Sequence, residues 1–202
     1  MREYIIACVP PPDVTARALH VSRALQSYGG LFVLKSTSER PHVTLYYTVL
    51  PRGVVRDVRT QLATIARRTA PFAMTATRFT SQNTWVDVEY RRSQALLALQ
   101  RDVIASVNPL RGTHMRERDA ERLATASPAV RRNIEQYGYR SVGAQYRPHL
   151  TFTRLQEEQD VRSSFADEQA RAYSFRVTTL GLYGTGAHGT CVRLLSSFAL
   201  GK

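Results

Sequence analysis

Two stretches of the chain set a histidine and a threonine two residues apart behind the same dipeptide. They read Arg40-Pro41-His42-Val43-Thr44 and Arg147-Pro148-His149-Leu150-Thr151. On a β-strand, residues i and i+2 project to one side, so each stretch offers one imidazole and one hydroxyl to the same small volume. If the two strands face each other, two imidazoles and two hydroxyls surround one cleft. Such a set suits phosphodiester chemistry without a metal. One neutral histidine takes a proton from the attacking oxygen, and the other, protonated, gives one to the leaving oxygen. The threonine hydroxyls, with nearby arginines, hold the nonbridging oxygens as charge builds.

The tripeptide by itself discriminates poorly. Four of the five histidines have a hydroxyl residue two positions on, including His20 with Ser22 and His188 with Thr190. His20 falls on a helical pattern, where residues two apart do not share a face. His188 falls in a glycine-rich turn and reads as a connector. Only His42 and His149 follow Arg-Pro and open a β-patterned run.

The elements that must position these residues recur in order. Tyr4–Val9 is a β-rich run closed by Pro10-Pro11-Pro12. Asp13 is then expected to cap a helix with Val14, Ala18, Val21 and Leu25 on its apolar stripe, ended by Gly29-Gly30. The first motif strand runs over Pro41–Val49, with His42, Thr44 and Tyr46 expected on one face. Val54–Thr69 reads as a basic helix, Phe72–Phe79 and Thr84–Tyr90 as strands. A helix begins at Ser93 and is expected to stop at Asn108-Pro109. Residues 110–146 read as an arginine-rich helical insertion, with one helix near Glu117–Ala126 and another capped by Ser127 and ended by Gly138. This segment either caps the cleft, with Arg116, Arg118, Arg131 or Arg132 on substrate phosphates, or is solvated; for any single arginine the solvated position is the expectation. The second motif strand covers His149–Leu155, an acidic helix is expected over Glu157–Ala172, and Tyr173–Tyr183 with Thr190–Leu200 makes a closing strand pair around a glycine-rich turn. Strand, helix, motif strand therefore occurs twice, which suggests two pseudo-equivalent halves of one domain.

The chain holds 28 Lys plus Arg against 16 Asp plus Glu, a formal net charge of +12, and only Lys35 and Lys202 are lysines. Arginine's planar fork suits bidentate phosphate contact, so a polyanionic partner is expected, although the surplus also serves solubility. Cys8 and Cys191 sit in apolar runs and read as buried reduced thiols; no metal-ligand spacing occurs. No stretch reads as a signal sequence or a membrane span, so a cytoplasmic protein is expected.

The two His-x-Thr strands in a basic chain of this size resemble the two-histidine (2H) phosphoesterase superfamily. The run His149-Leu150-Thr151-Phe152-Thr153-Arg154 is similar to the His-x-Thr-x-x-Arg form of its bacterial 2'-5' RNA ligase and 2',3'-cyclic phosphodiesterase branch. REYIIACVPPP resembles that family's first strand, and LGLYGTG with CVRLLSSFAL its closing hairpin. The first motif departs mildly, with Tyr47 where the branch usually has phenylalanine, and 110–146 is longer than a minimal member needs. The resemblance implies a bilobal, pseudo-two-fold α+β fold whose two antiparallel sheets line a central cleft, with helices outside. It implies catalytic His42 and His149, phosphate-binding Thr44 and Thr151, Arg154 as the arginine of the extended motif, and Tyr46 and Tyr183 as candidates to pack a base or ribose. It further implies no metal and no cofactor, an RNA or nucleotide substrate with a 2',3'-cyclic phosphate or 2'-5' linkage, and a monomer with no obligatory protein partner. Ligation is the reverse reaction through the same groups. The alternatives are a nucleotide- or RNA-binding protein that kept the cleft without catalysis, and a hydrolase of cyclic oligonucleotide signals.

Overall fold

The apolar run after Arg2 makes a deeply enclosed strand. In the computed structural model, which describes residues 1–161 and 169–202, β1 (Arg2–Cys8) is buried from Tyr4 onward. Tyr4, Ile6 and Cys8 enter the main core, while Ile5 and Ala7 pack with Tyr183 and Cys191 on the other side. Both faces are covered because β1 is internal in a four-stranded sheet of order β2-β1-β8-β9, with β2 spanning Val43–Leu50, β8 Thr179–Thr185 and β9 Cys191–Ala199. A second sheet has order β4-β5-β6: Ala76–Gln82, Trp85–Tyr90 and His149–Arg154. A third, two-stranded sheet pairs β3 (Phe72–Met74) with β7 (Phe175–Val177). Among the described residues all pairings are antiparallel, so the chain is α+β, with three sheets there where two were expected.

The third sheet arises because two expected strands each break once. Phe72–Phe79 divides at Thr75 and Tyr173–Tyr183 at Thr178. On one side of each break the strands pair with each other, and on the other side they join the larger sheets. A twisted strand that crosses between sheets loses its ladder partner at the corner.

Helix α1 (Pro12–Ala24) packs on β6 and buries Val14, Ala18 and Val21. Its cap position is Pro11, with Pro12 in the first turn, so Asp13 supplies charge to the first turn and not the cap. Gly29, at φ 78°, takes the left-handed conformation that ends the following 3-10 turn. Helix α2 (Val55–Arg68) packs on α3 (Gln94–Arg111), β8 and β9, and α3 packs on β2. α3 spans Gln94–Arg111, passing through Pro109 where a stop was expected. Pro109 forfeits one helical hydrogen bond two residues before the end, where neighbouring side chains tie the last turn to Gln136. Buried Arg111 donates through Nε to Asn108 Oδ1 (3.0 Å) and through Nη2 to Gln136 O (3.2 Å), and Asn108 Nδ2 donates to Gln136 O (3.1 Å).

α4 (Glu117–Arg122) and α5 (Pro128–Tyr137) follow, α5 with the expected Ser127 cap and Gly138 stop. They are not a solvated excursion. Gln100 Nε2 donates to both Leu45 O (3.1 Å) and Ser141 O (3.0 Å), tying this segment to β2 through α3. Of the acidic helix expected over Glu157–Ala172, residues 162–168 lie outside the described residues, 157–161 carry no helix, and Ala170–Tyr173 form a 3-10 turn. Among the described residues no helix is long and apolar enough to cross a membrane.

Candidate active site

Each motif strand begins the same way. Pro41 and Pro148 fix one backbone torsion and put the preceding arginine's carbonyl beside the imidazole. His42 Nδ1 lies 2.8 Å from Arg40 O, and His149 Nδ1 lies 2.7 Å from Arg147 O. A carbonyl oxygen only accepts, so Nδ1 carries the proton in both rings. The neutral tautomer then has its lone pair on Nε2. Both histidines line one cavity of about 370 Å³, within the range of small-ligand sites.

Thr44 and Thr151 line the same cavity, so the four residues that the paired motifs single out do converge. Their hydroxyls are not equivalent. Thr151 Oγ1 donates to Asp87 Oδ1 at 2.6 Å, whereas the Thr44 hydroxyl has no hydrogen-bond partner among the described residues. Asp87, 1% exposed, also accepts from Arg147 Nη2 (2.8 Å). Arg147 Nη1 donates to Glu89 Oε1 (2.8 Å), and Arg78 Nε to Glu89 Oε2 (2.8 Å). Burial alone would raise the Glu89 pKa, but the hydrogen bonds and charges of Arg78 and Arg147 outweigh it and hold the carboxyl below its ordinary value. Asp87 and Glu89 project from β5 opposite Thr151 and His149. Sequence spacing gave no sign of them, because Asp87 lies 64 residues from Thr151 in the chain and only strand pairing brings the two together.

A one-residue bulge interrupts each motif strand just past the threonine. Opposite Ile6 and Ala7, β2 presents Tyr46 and Thr44, so Leu45 is extra. Opposite Val86 and Asp87, β6 presents Thr153 and Thr151, so Phe152 is extra. An extra residue shifts the alternation of faces by one. Tyr46 therefore leaves the cleft face expected for it and is fully buried, its hydroxyl 2.6 Å from Tyr137 O and 3.0 Å from Asn108 Oδ1. Tyr47 takes its place in the cavity lining, its hydroxyl donating to Glu3 Oε2 at 2.5 Å. Burial, then the Glu3 carboxylate, pushes the Tyr47 phenol up to about 12.

Tyr183 does not line the cavity either. It is 1% exposed, and its ring lies back over Gly181, where a Cβ would fall 2.4 Å from Tyr183 Cε2. Arg154 stands beside the cavity: its Nε donates to Thr84 Oγ1 (3.0 Å), and its Cζ is 5.5 Å from the centroid of Trp85, a lining residue. His188, expected to be a connector, lines the cavity and stacks on Phe32 with centroids 5.9 Å apart. Of the arginines expected to be solvated, Arg131 and Arg132 are exposed, but Arg116 is 7% exposed and reaches the cavity.

Burial, and secondarily the charge of His149, lowers the His42 pKa to about 4 from its ordinary 6.5, against the Arg40 carbonyl, which raises it. The folded chain thus keeps His42 neutral where the unfolded chain binds a proton. Stability is expected to fall as pH drops from about 6.5 to about 4, by roughly 3 kcal/mol at most and less where the ring meets solvent. Urea unfolding at pH 7 and pH 4.5 checks this. His42→Ala should lose part of the difference, and an identical pH slope in wild type and variant would refute it.

Two Arg-Pro-His-x-Thr strands brought from separate antiparallel sheets to one basic cavity define a two-histidine phosphoesterase type of protein. The chain belongs to the 2'-5' RNA ligase superfamily, whose family model matches residues 10–189. No curated protein matches it by sequence. Among solved structures it is similar to TT0787 of Thermus thermophilus (15% identity, TM-score 0.65, covering 100% of this chain and 98% of that one). It is also similar to E. coli LigT complexed with 3'-AMP (16% identity, TM-score 0.63, covering 100% and 99%) and to a crystallised phosphoesterase (16%, 0.62, 100% and 99%). These likenesses concern the fold. The family places the chain with enzymes of phosphoesterase or 2'-5' RNA ligase type.

Proposed function

We propose that the chain is a 2',3'-cyclic phosphodiesterase of RNA ends or nucleotides, with His42 as general base and His149 as general acid. The observation that carries this is the matched pair of imidazoles, each fixed by its Nδ1–H to a backbone carbonyl and each leaving Nε2 to one cavity. His42 stays neutral at pH 7, as a base must, because burial opposes its charge. Its Nε2 takes a proton from water, whose oxygen attacks phosphorus. The bond from phosphorus to one ribose oxygen breaks, and His149 Nε2–H protonates that oxygen. A ring phosphate becomes a phosphomonoester. With a nucleoside hydroxyl in place of water as the attacking group, the same ring-opening joins RNA ends through a phosphodiester, and its reverse cleaves that linkage back to the cyclic phosphate.

E. coli LigT has been crystallised with 3'-AMP, ATP and NADP+, which supports a nucleotide-shaped ligand for this cavity. Among the described residues no three His, Cys, Asp or Glu side chains are grouped as metal ligands would be. The proton transfers are assigned to the imidazoles on their own geometry, and EDTA is expected to leave turnover unchanged. Loss of activity in EDTA with recovery on adding a divalent ion would overturn that assignment.

The test of the whole reading is turnover of a panel of 2',3'-cyclic nucleotides, 2'-5' oligonucleotides and cyclic dinucleotides. The first group should be opened, with kcat/KM falling on the acid side near pH 4 as His42 protonates. Binding without turnover of any of them would leave the non-catalytic reading in its place. Turnover confined to cyclic dinucleotides would move the substrate to signalling oligonucleotides.

A further inference from the structure

One wall of the cavity comes from residues 111–146, and its three lining arginines meet one buried acid, Asp119, which pairs with Arg116. Arg116, Arg118 and Arg140 line the cavity together with both histidines. Arg116 is held in place: Nε donates to Asp119 Oδ2 at 2.6 Å, and Cζ lies 3.9 Å from the Tyr47 ring centroid and 5.4 Å from that of Tyr139. Aromatic faces and a carboxylate together fix the plane of a guanidinium that is 7% exposed. Its Nη1 has no hydrogen-bond partner among the described residues.

Other cations crowd this group. Arg118 has its pKa lowered by burial and then by the charges of Arg122, Arg116 and Arg154; Arg140 is lowered by burial, with Arg116 and Arg118 acting the same way. Asp119 is the carboxylate that opposes them, and it is fully buried against Arg116, its Oδ1 without a partner among the described residues. The remaining acids of the segment, Glu117, Glu121 and Glu135, are exposed and line no part of the cavity. Around the histidines the balance differs, since Arg147 is matched by Asp87 and Glu89. Burial opposes the Arg116 charge, but Asp119, Tyr139 and Tyr47 outweigh it, so the uncompensated repulsion falls on Arg118 and Arg140, which face the cavity partly desolvated until an anion enters.

We propose that Arg116, Arg118 and Arg140 form a second anion subsite, taking a phosphate of the ligand other than the one between His42 and His149. Preferred ligands then carry at least two phosphates. This rests on the function proposed above for its first phosphate, but it concerns binding and makes a separate demand.

Calorimetric titration of the full chain with three non-cyclic probes tests it: adenosine 3'-monophosphate, adenosine 3',5'-bisphosphate, and the dinucleotide ApA bearing a 3'-phosphate. The second phosphate is expected to lower Kd by about 10-fold or more, as added charge-assisted hydrogen bonds do. A gain with the bisphosphate identifies a terminal phosphate, and a gain with the dinucleotide an internucleotide linkage. In the Arg118→Gln, Arg140→Gln double variant the ratio of Kd values should shrink to about 2-fold. Should that variant unfold, Arg118→Gln alone, at an exposed position, must reduce the ratio several-fold. Equal Kd values for all three probes, no binding of any, or a gain untouched by the substitutions would overturn the subsite. Binding needs no turnover, so a chain that prefers the bisphosphate yet opens no cyclic phosphate loses the catalytic reading and keeps this one.

Discussion

His42→Ala and His149→Ala are each expected to lower kcat on a 2',3'-cyclic nucleotide by about 10²- to 10⁴-fold, the usual contribution of a positioned acid or base. The loss belongs in kcat because the transferred protons move only in the transition state. Neither ring is part of the core. Each makes one hydrogen bond, from Nδ1–H to the carbonyl two residues before it, and neither is fully buried. The fold should therefore survive both substitutions, with a thermal midpoint near that of the wild type at pH 7. Because the two imidazoles act on one transition state, the double variant should be little worse than either single one. A single variant retaining a tenth or more of wild-type kcat would sink the mechanism.

The second large effect separates the two threonines. Thr44 faces the cavity with an uncommitted hydroxyl, a free donor for a nonbridging phosphate oxygen. Thr151 directs its one proton to Asp87 Oδ1, and a carboxylate can only accept. Thr44→Val, which keeps the shape and removes the donor, should lower kcat by about 10²- to 10³-fold, like loss of an oxyanion donor. Its cost in stability should be small. Thr151→Val should do the reverse: a loss of roughly 10-fold in kcat, with about 1–3 kcal/mol of stability lost because a carboxylate oxygen at a buried residue goes unpaired. Initial rates and urea unfolding on both variants read out the crossing. Equal rate losses with equal stabilities would mean that the Thr151 proton turns to the ligand, and the asymmetry would fall.

Much of the candidate site was legible because its signals are local. Arg-Pro-His-x-Thr contains within five residues the strand alternation that pairs an imidazole with a hydroxyl, and the proline-placed carbonyl that selects the tautomer. Caps such as Ser127 and Gly138 were equally readable, since a cap is a property of its own few residues. Tyr46 and Tyr183 were misplaced for different reasons. Tyr46 obeyed its period on paper, but a bulge beside it turned it inward; Tyr183 was on a lining sheet, but its ring folded over Gly181.

The sequence by itself determined which residues could exchange protons and that arginine far outnumbers acid in the chain. Only the tertiary structure decided what surrounds them. A bulge exists when a strand is matched against its neighbour, so no single strand announces it. The bulges at Leu45 and Phe152 put His42, Thr44 and Tyr47 of one strand and His149 and Thr151 of the other in the cavity lining, with Arg154 beside it. Asp87 reached Thr151, and Arg116 reached the cavity, through contacts between segments far apart in the chain. Local spacing encodes the chemistry of a strand, and register between strands encodes the direction in which that chemistry points.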